Sequence, residues 1–169
     1  LGNGDDVINV GSLAPAVGGT VNNINALLSV DGGTGSDALN VDDTGDAAAN
    51  TGNLTSTSLT GLGLAAGINY GALEAVNINL GSGADTFTIA STHAGSTTLN
   101  TNDGADTVNV QTISGSTSVA ASPGSPSMAA PASPTRRLSI AHQMWKRILM
   151  PPLLARVVPW SITASASAR

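Results

Sequence analysis

The sequence predicts an all-β protein whose strands stack as the coils of a parallel β-helix or β-solenoid. Two observations predict this fold: a motif that recurs after 21 residues, and short apolar-alternating strands bounded by glycine. The recurrence lies in Leu80–Val110, where the Gly-Ala-Asp-Thr of residues 83–86 returns at residues 104–107. Recurrence at a fixed period is typical of stacked repeat architectures.

Four segments share a glycine-rich corner, an aspartate and then an alternating strand. Glycine permits the positive φ that such a corner needs, and apolar residues at every second position predict a strand with one buried face. The segments are Gly2–Val10, Gly33–Val41, Gly81–Ile89 and Asn102–Val110. Their aspartates, Asp6, Asp37, Asp85 and Asp106, are spaced 31, 48 and 21 residues apart. We therefore expect insertions in the early coils.

Further strands are predicted between the corners, so that one coil of 21 residues holds two short strands and two corners. Asp46–Asn50 and Ala72–Ala75 can each form one helical turn and no more. The additional strands are Ala26–Val30, Asn53–Leu59, Ile68–Tyr70, Ala75–Leu80, Thr97–Asn100 and Thr117–Val119. The predicted core comprises Val76, Ile78, Leu80, Phe87, Ile89, Leu99, Val108, Val110 and Val119.

The composition divides the chain into a repeat region, residues 1–121, and a Pro/Ser/Arg tail, residues 122–169. The tail holds seven of the eight prolines and all six Lys and Arg residues. Two interpretations of it stand. One is an irregular Pro/Ser linker, residues 122–134, with a short basic amphipathic helix at residues 136–149. The other is a frame-shifted translation.

The frame-shift interpretation is based on the genetic code. Shifting the reading frame by one base makes Met128–Ala129 encode glycine, and it permits Val-Asp-Gly-Gly-Thr-Gly across residues 126–132. That is the sequence of Val30–Gly35. The nucleotide sequence separates the two interpretations. Because the chain begins at Leu1, inside a repeat unit, we expect it to be a fragment of a longer repeat array.

The charge distribution restricts the partners of the repeat region. All eleven acidic residues lie between Asp5 and Asp106, and no Lys or Arg occurs before Arg136. Such a surface cannot neutralise phosphates, which argues against nucleic acid. Its carboxylates must instead be solvated, bonded to backbone N–H groups or met by cations. The chain has no run of about 18 apolar residues, so we expect no membrane span.

The corner motif resembles the hemolysin-type (RTX-like) calcium-binding repeats of large bacterial secreted and surface proteins. Gly32–Asn40 is the closest match, although that family repeats every nine residues and this chain every 21 or more. The resemblance implies Ca²⁺ held by corner carbonyl and carboxylate oxygens. The residues it implies are Asp6, Gly33, Gly35, Asp37, Gly81, Gly83, Asp85, Gly104 and Asp106.

A second role for these aspartates stays open, because an Asp after a glycine corner often caps the turn by accepting backbone N–H bonds. Asp42–Asp46 forms a further acidic loop that lacks the closing Glu of an EF-hand, and we interpret it as a weak calcium site at most. Gly61–Gly67 resembles a dinucleotide fingerprint but fits a glycine-rich turn better.

No constellation of catalytic residues is evident, so we expect no enzyme activity in this region. The chain lacks cysteine, and His93 stands alone in a Ser/Thr-rich loop, where we expect it to be solvated. We expect a structural and binding repeat segment of an extracellular or cell-surface protein, a stalk or adhesin. Its expected partners are calcium ions and cell-surface or matrix components. The alternative is the repeat region of an extracellular enzyme or hemolysin-type toxin whose active domain lies elsewhere.

Overall fold

A computed structural model describes residues 1–121 and 127–129, and these residues form β-strands and no helix. The all-β prediction is confirmed for this part of the chain. The strands are β1 (Gly2–Asn3), β2 (Val7–Val10), β3 (Leu28–Asp31), β4 (Gly33–Thr34), β5 (Ala38–Asp42), β6 (Thr51–Leu54), β7 (Ser58–Gly61), β8 (Ile68–Gly71), β9 (Ala75–Asn79), β10 (Thr86–Ile89), β11 (Ser96–Asn100), β12 (Thr107–Val110), β13 (Ser116–Ala120) and β14 (Ser127–Ala129).

The strands form two large sheets and one short pair. The five-stranded sheet has the order β13-β11-β9-β5-β2 and is parallel throughout. The seven-stranded sheet has the order β14-β12-β10-β6-β7-β8-β3 and is parallel except at β7, which is antiparallel to both neighbours. β1 pairs with β4. Apart from β1, β4, β7 and β8, successive strands alternate between the two large sheets.

The strand registers reproduce the offset found in the sequence. Phe87 pairs with Val108 and Ile89 with Val110, an offset of 21 residues between β10 and β12. The offset from β9 to β11 is also 21, and it becomes 20 from β11 to β13 and from β12 to β14. The side-chain period of a strand is two, so these registers keep the apolar residues of successive strands on one face.

Two insertions lengthen the early part of the chain. A loop between Val10 and Leu28 separates β2 from β5 by 31 residues. The antiparallel strands β7 and β8 then lie between β6 and β9 in the chain, which raises the offset from β5 to β9 to 37 residues. The aspartate spacing of 48 residues has a different origin, because Asp37 precedes a strand of the five-stranded sheet and Asp85 a strand of the seven-stranded sheet.

Two details of the predicted secondary structure are wrong. The single strand expected at Asn53–Leu59 is a hairpin, in which the Thr55 N–H donates to the Ser58 carbonyl over 2.8 Å and the two hydroxyl groups lie 2.6 Å apart. Such hydroxyl groups offer the backbone a turn in place of a ladder. Neither predicted helical turn forms. Ala72 has a φ of 50° and Ala75 begins β9, and in Asp46–Asn50 the Asp46 carboxylate binds the Ala48 N–H and the Asn50 amide.

The core lies on the inward faces of the two large sheets. All nine predicted core side chains are buried, and Phe87 is the largest fully buried one. Phe87 pairs with Gly52 on β6, where a Cβ atom would lie 2.4 Å from the Phe87 ring. Glycine is therefore required at residue 52 by close packing. Other buried apolar side chains include Val21, Leu39, Val41, Leu54, Leu59, Leu62 and Ile68.

A row of asparagines crosses the outward face of the five-stranded sheet. The Asn77 amide donates to Asn40 over 2.8 Å, and the Asn40 amide donates to Asn9 over 2.9 Å. Asn100 donates to Asn79 in the same way over 2.6 Å. Side-chain bonds of this kind link equivalent positions of neighbouring parallel strands and so reinforce the register.

The predictions for the tail fall largely outside the described residues. These are the linker at residues 122–134, the helix at residues 136–149 and the frame-shift hypothesis. Within the tail only β14 is described, and it pairs in parallel with β12 through Thr107 and Ser127.

Candidate functional site

Before the five-stranded sheet, the corner carboxylates bind the backbone of the preceding strand. Oδ1 of Asp37 accepts the backbone N–H of Asp6 over 2.8 Å. The N–H of Asp37 in turn donates to Oε2 of Glu74 over 2.7 Å. Asp6, Asp37 and Glu74 directly precede β2, β5 and β9, so they form one ladder of carboxylates and N–H groups at equivalent positions.

A second ladder precedes the seven-stranded sheet. Oδ1 of Asp85 accepts the N–H of Asn50 over 2.7 Å, and the N–H of Asp85 donates to Oδ1 of Asp106 over 2.9 Å. Asp85 and Asp106 are each 2% exposed. Charge-assisted bonds to backbone N–H groups satisfy donors that would otherwise be unpaired where the strand ladder begins.

The corner glycines lie against carbonyl groups of the neighbouring strand. A Cβ atom at Gly104 would lie 2.1 Å from the Gly83 carbonyl oxygen. Cβ atoms at Gly33 and Gly35 would lie 2.2 Å and 2.0 Å from the carbonyl oxygens of Gly2 and Gly4. Cβ atoms at Gly81 and Gly83 would likewise lie 2.1 Å from the carbonyl oxygens of residues 46 and 48. Close approach of neighbouring backbones thus requires glycine at these corners.

The structure divides the nine predicted calcium ligands between two places. Asp6, Gly33, Gly35 and Asp37 lie before the five-stranded sheet, and Gly81, Gly83, Asp85, Gly104 and Asp106 before the seven-stranded sheet. Across residues 1–121, no three His, Asp or Glu side chains lie close enough together to hold a metal ion. What the geometry does provide is a set of carboxylate caps.

The acidic loop Asp42–Asp46 binds the first inserted loop. Oδ2 of Asp42 accepts the Gly19 N–H over 2.8 Å, and Oδ1 of Asp43 accepts the Val21 N–H over 3.0 Å. Oδ2 of Asp46 accepts the Asn22 amide over 2.9 Å. These carboxylates hold residues 19–22 against the rest of the fold, a role that no local sequence pattern indicates.

The loop Asp42–Asp46 brings several carboxylates together in a buried environment. Burial, together with the nearby carboxylates of Asp46, Asp85 and Asp42, raises the pKa of Asp43 to about 6. Oδ2 of Asp43 is buried and has no hydrogen-bond partner. Burial also raises the pKa of Asp85, whereas hydrogen bonds from the Ala48 backbone and Asn22 lower the pKa of Asp46.

Two members of these networks were not predicted from the sequence. Glu74 completes the first ladder, and its position directly before the predicted strand Ala75–Leu80 was the available signal. His93 was expected to be solvated, but it is half-buried and its ring meets that of Tyr70 edge-on at 6.1 Å. Burial lowers the pKa of His93.

An open hollow of about 450 Å³ lies beside β3, β7 and β8. Asp31 is the one carboxylate that lines it and no histidine does, while the Tyr70 hydroxyl donates to the Thr55 carbonyl and burial raises its pKa to about 12, so the hollow lacks a pair of groups suited to acid–base catalysis near neutral pH. The other lining residues are Ser29, Val30, Thr57, Ser58, Asn69 and Tyr70.

The described residues contain no helix long and apolar enough to cross a membrane. No protein family, curated protein or solved structure matches this chain. The function must therefore be inferred from the ladders, the sheets and the charge.

Proposed function

We propose that residues 1–121 are a structural and binding segment of a secreted or cell-surface repeat protein, built as a parallel β-helix of two-strand coils. The observation that carries this proposal is that successive strands, apart from β1, β4, β7 and β8, alternate between two large sheets with their apolar residues aligned. In such an array each coil buries its apolar face against its neighbours. A stack of this kind serves as a stalk or as a scaffold for surface contacts.

Three features support a non-enzymatic role. The buried carboxylates Asp37, Asp85 and Asp106 take part in backbone caps, which leaves them poorly placed to act as general acids or bases. The outward face of the five-stranded sheet presents an asparagine row suited to contacts with polar surfaces. The hollow beside Asp31 has no catalytic pair.

The acidic repeat region is also proposed to be calcium-linked. Eleven carboxylates without a single Lys or Arg in residues 1–121 repel one another, and cations relieve that repulsion. The crowded carboxylates of Asp42, Asp43 and Asp46 are the place where a cation would have the largest effect. Extracellular calcium modules bind with dissociation constants of roughly 10⁻⁴–10⁻³ M.

The surface location is tested with an antibody raised against residues 1–121. Applied to intact cells of the source organism and to their medium, it should label the cell surface or detect secreted protein. A cytosolic control protein must stay unlabelled in the same preparation. A signal that appears only after lysis would overturn the proposed location.

A further inference from the structure

One end of the two large sheets is open. β2 is the terminal strand of the five-stranded sheet, and β3 is the terminal strand of the seven-stranded sheet. Val10 and Val30 on these strands are buried, but the inward side chains Ile8 and Leu28 are only half-buried, whereas their aligned residues Leu39 and Ile68 on the next strands are fully buried. The exposed large apolar side chains of the described residues all lie in residues 1–27, including Leu1, Val7 and Leu27.

The corner glycines at this end differ from the others. Gly33, Gly35 and Gly104 each face a neighbouring carbonyl oxygen where a Cβ would be, at 2.0–2.2 Å. Gly2 and Gly4 are their counterparts on the first corner, and nothing in the described residues lies within 4 Å of their Cβ positions. The first corner therefore has the glycines that allow close approach of carbonyl groups, but no carbonyl group of the described residues lies against it.

The carboxylate ladder also lacks a partner at this end. Asp37 accepts an N–H from Asp6, and Asp85 accepts an N–H from Asn50, so each carboxylate binds the strand that precedes it in the sheet. Asp6 occupies the equivalent position before β2, and within residues 1–121 no donor binds its carboxylate. The next donor in this ladder would come from a strand on the open side of β2.

We propose that the end formed by β2 and β3 binds one more two-strand coil of the same pattern, joined in the same polypeptide and parallel to both strands. Its strands would complete the edges of β2 and β3 by parallel strand addition. Its corner would place carbonyl groups over Gly2 and Gly4 and a backbone N–H on Asp6. This inference rests on the proposed β-helix and specifies how that helix continues.

A second copy of the chain fits this end less well. Antiparallel pairing of two such ends would bring Asp5, Asp6 and Asp31 of both copies together, and like charges would oppose it. Head-to-tail stacking requires an open face at the β13 end. There the inward residues Thr117 and Val119 are 8% and 4% exposed, whereas Ile8 and Leu28 at the β2 and β3 end are half-buried, so the β13 end offers less open apolar surface.

The test is a full-length chain that carries a second copy of residues 90–110 directly before Leu1. The copied strands then end six residues before Val7, the same spacing that separates β10 from β11. We expect the backbone amides of β2 and β3 to exchange with solvent about tenfold more slowly than in the unextended chain, because their edges become protected. The melting temperature should rise as well.

A matched control carries the same extension with the copied Leu99 and Val108 both changed to Asp, which removes the inward apolar side chains. Unchanged exchange at β2 and β3, or equal protection by the control, would overturn the proposal. Asp6→Leu in the extended chain should lose part of the gain. Sedimentation velocity on the unextended chain gives a further outcome: self-association that protects β2 would assign this end to a second copy and overturn the single-chain coil.

Failure of the docking is distinguishable from failure of the β-helix itself. Cysteine pairs placed on aligned strands report the register of the unextended chain. If those pairs cross-link as the register requires and the extension protects nothing, then only the docking proposal fails.

Discussion

The backbone N–H of Asp85 donates to Oδ1 of Asp106 over 2.9 Å, across a sequence separation of 21 residues. The same relation links Asp6 to Asp37 and Asn50 to Asp85. A corner aspartate therefore makes two hydrogen bonds along the stack. Its carboxylate accepts the backbone N–H at the start of one neighbouring strand, and its own N–H donates to the carboxylate before the other neighbouring strand.

Removal of a corner carboxylate should destabilise the fold. Asp85→Ala leaves the part-buried Asn50 N–H without its acceptor, and we expect a loss of about 1–3 kcal/mol in the free energy of unfolding. Asp85→Asn retains an acceptor oxygen and should lose less than about half of that amount. Urea denaturation followed by circular dichroism measures both variants.

The exposed Asp103→Ala serves as the control for this pair and should change the free energy of unfolding by less than about 0.5 kcal/mol. Equal losses for Asp85→Asn and Asp85→Ala would show that charge at Asp85, and not hydrogen-bond acceptance, is what the fold requires.

Packing at the Phe87 ring should be sensitive to one methyl group. Gly52→Ala places a Cβ atom 2.4 Å from the ring, so we expect a destabilisation of about 1–3 kcal/mol, measured by thermal melting. Gly71→Ala is the matched control in β8, because nothing lies within 4 Å of its Cβ position. A Gly52→Ala variant as stable as Gly71→Ala would refute the packing of Phe87 against β6.

The stability of the protein should depend on the ionisation of Asp43. Its pKa rises from 3.8 to about 6 on folding, so between these values the folded state binds more protons than the unfolded state. The contribution of Asp43 to the free energy of unfolding therefore falls as the pH rises from about 4 to 6. Burial shifts the pKa of Asp85 in the same direction.

Asp43→Asn keeps the acceptor for the Val21 N–H and removes the titration. The difference in unfolding free energy between wild type and this variant should change by on the order of 2 kcal/mol across that pH range. Parallel curves for wild type and Asp43→Asn would contradict the raised pKa.

Calcium should stabilise the repeat region. Millimolar Ca²⁺ binds the folded acidic surface better than the unfolded chain, so the melting temperature should exceed that measured in EDTA. NaCl at matched ionic strength controls for screening. Identical melting curves in calcium and EDTA would eliminate the calcium linkage and leave the carboxylates as caps alone.

The sequence predicted the regular part of the fold and missed the irregular part. Glycine corners and alternating apolar residues located β2, β5, β10 and β12, because backbone geometry and burial impose these patterns locally. The hairpin after Leu54 was missed because the hydroxyl groups of Thr55 and Ser58 formed a turn inside a run that otherwise alternates like one strand.

The residues of the candidate site could be predicted from the sequence, but their roles could be predicted less well. The corner aspartates stood out, and both the ligand and the cap interpretations were open. The bonds that assign the caps join residues 21 to 37 positions apart, such as Asp37 and Glu74. The spacing of 21 is the period of the repeat, whereas the spacings of 31, 35 and 37 residues depend on the lengths of the two insertions, which no local pattern reveals.

The central claim is that successive strands alternate between two sheets in register, and paired cysteines test it most directly. The chain has no native cysteine. Asn77 pairs with Thr98 in the five-stranded sheet, and Thr88 pairs with Asn109 in the seven-stranded sheet. Adjacent strands lie about 4.8 Å apart, which is within the Cα separation that a disulfide spans.

Asn77→Cys with Thr98→Cys, and Thr88→Cys with Asn109→Cys, should each form a disulfide under mild oxidation, detected by mass spectrometry of the digested chain. The shifted pair Thr88→Cys with Thr107→Cys should cross-link far less, because its cysteines lie two positions out of register. Efficient cross-linking in both aligned pairs supports the account. Absence of either aligned disulfide, or equal yield from the shifted pair, would contradict it.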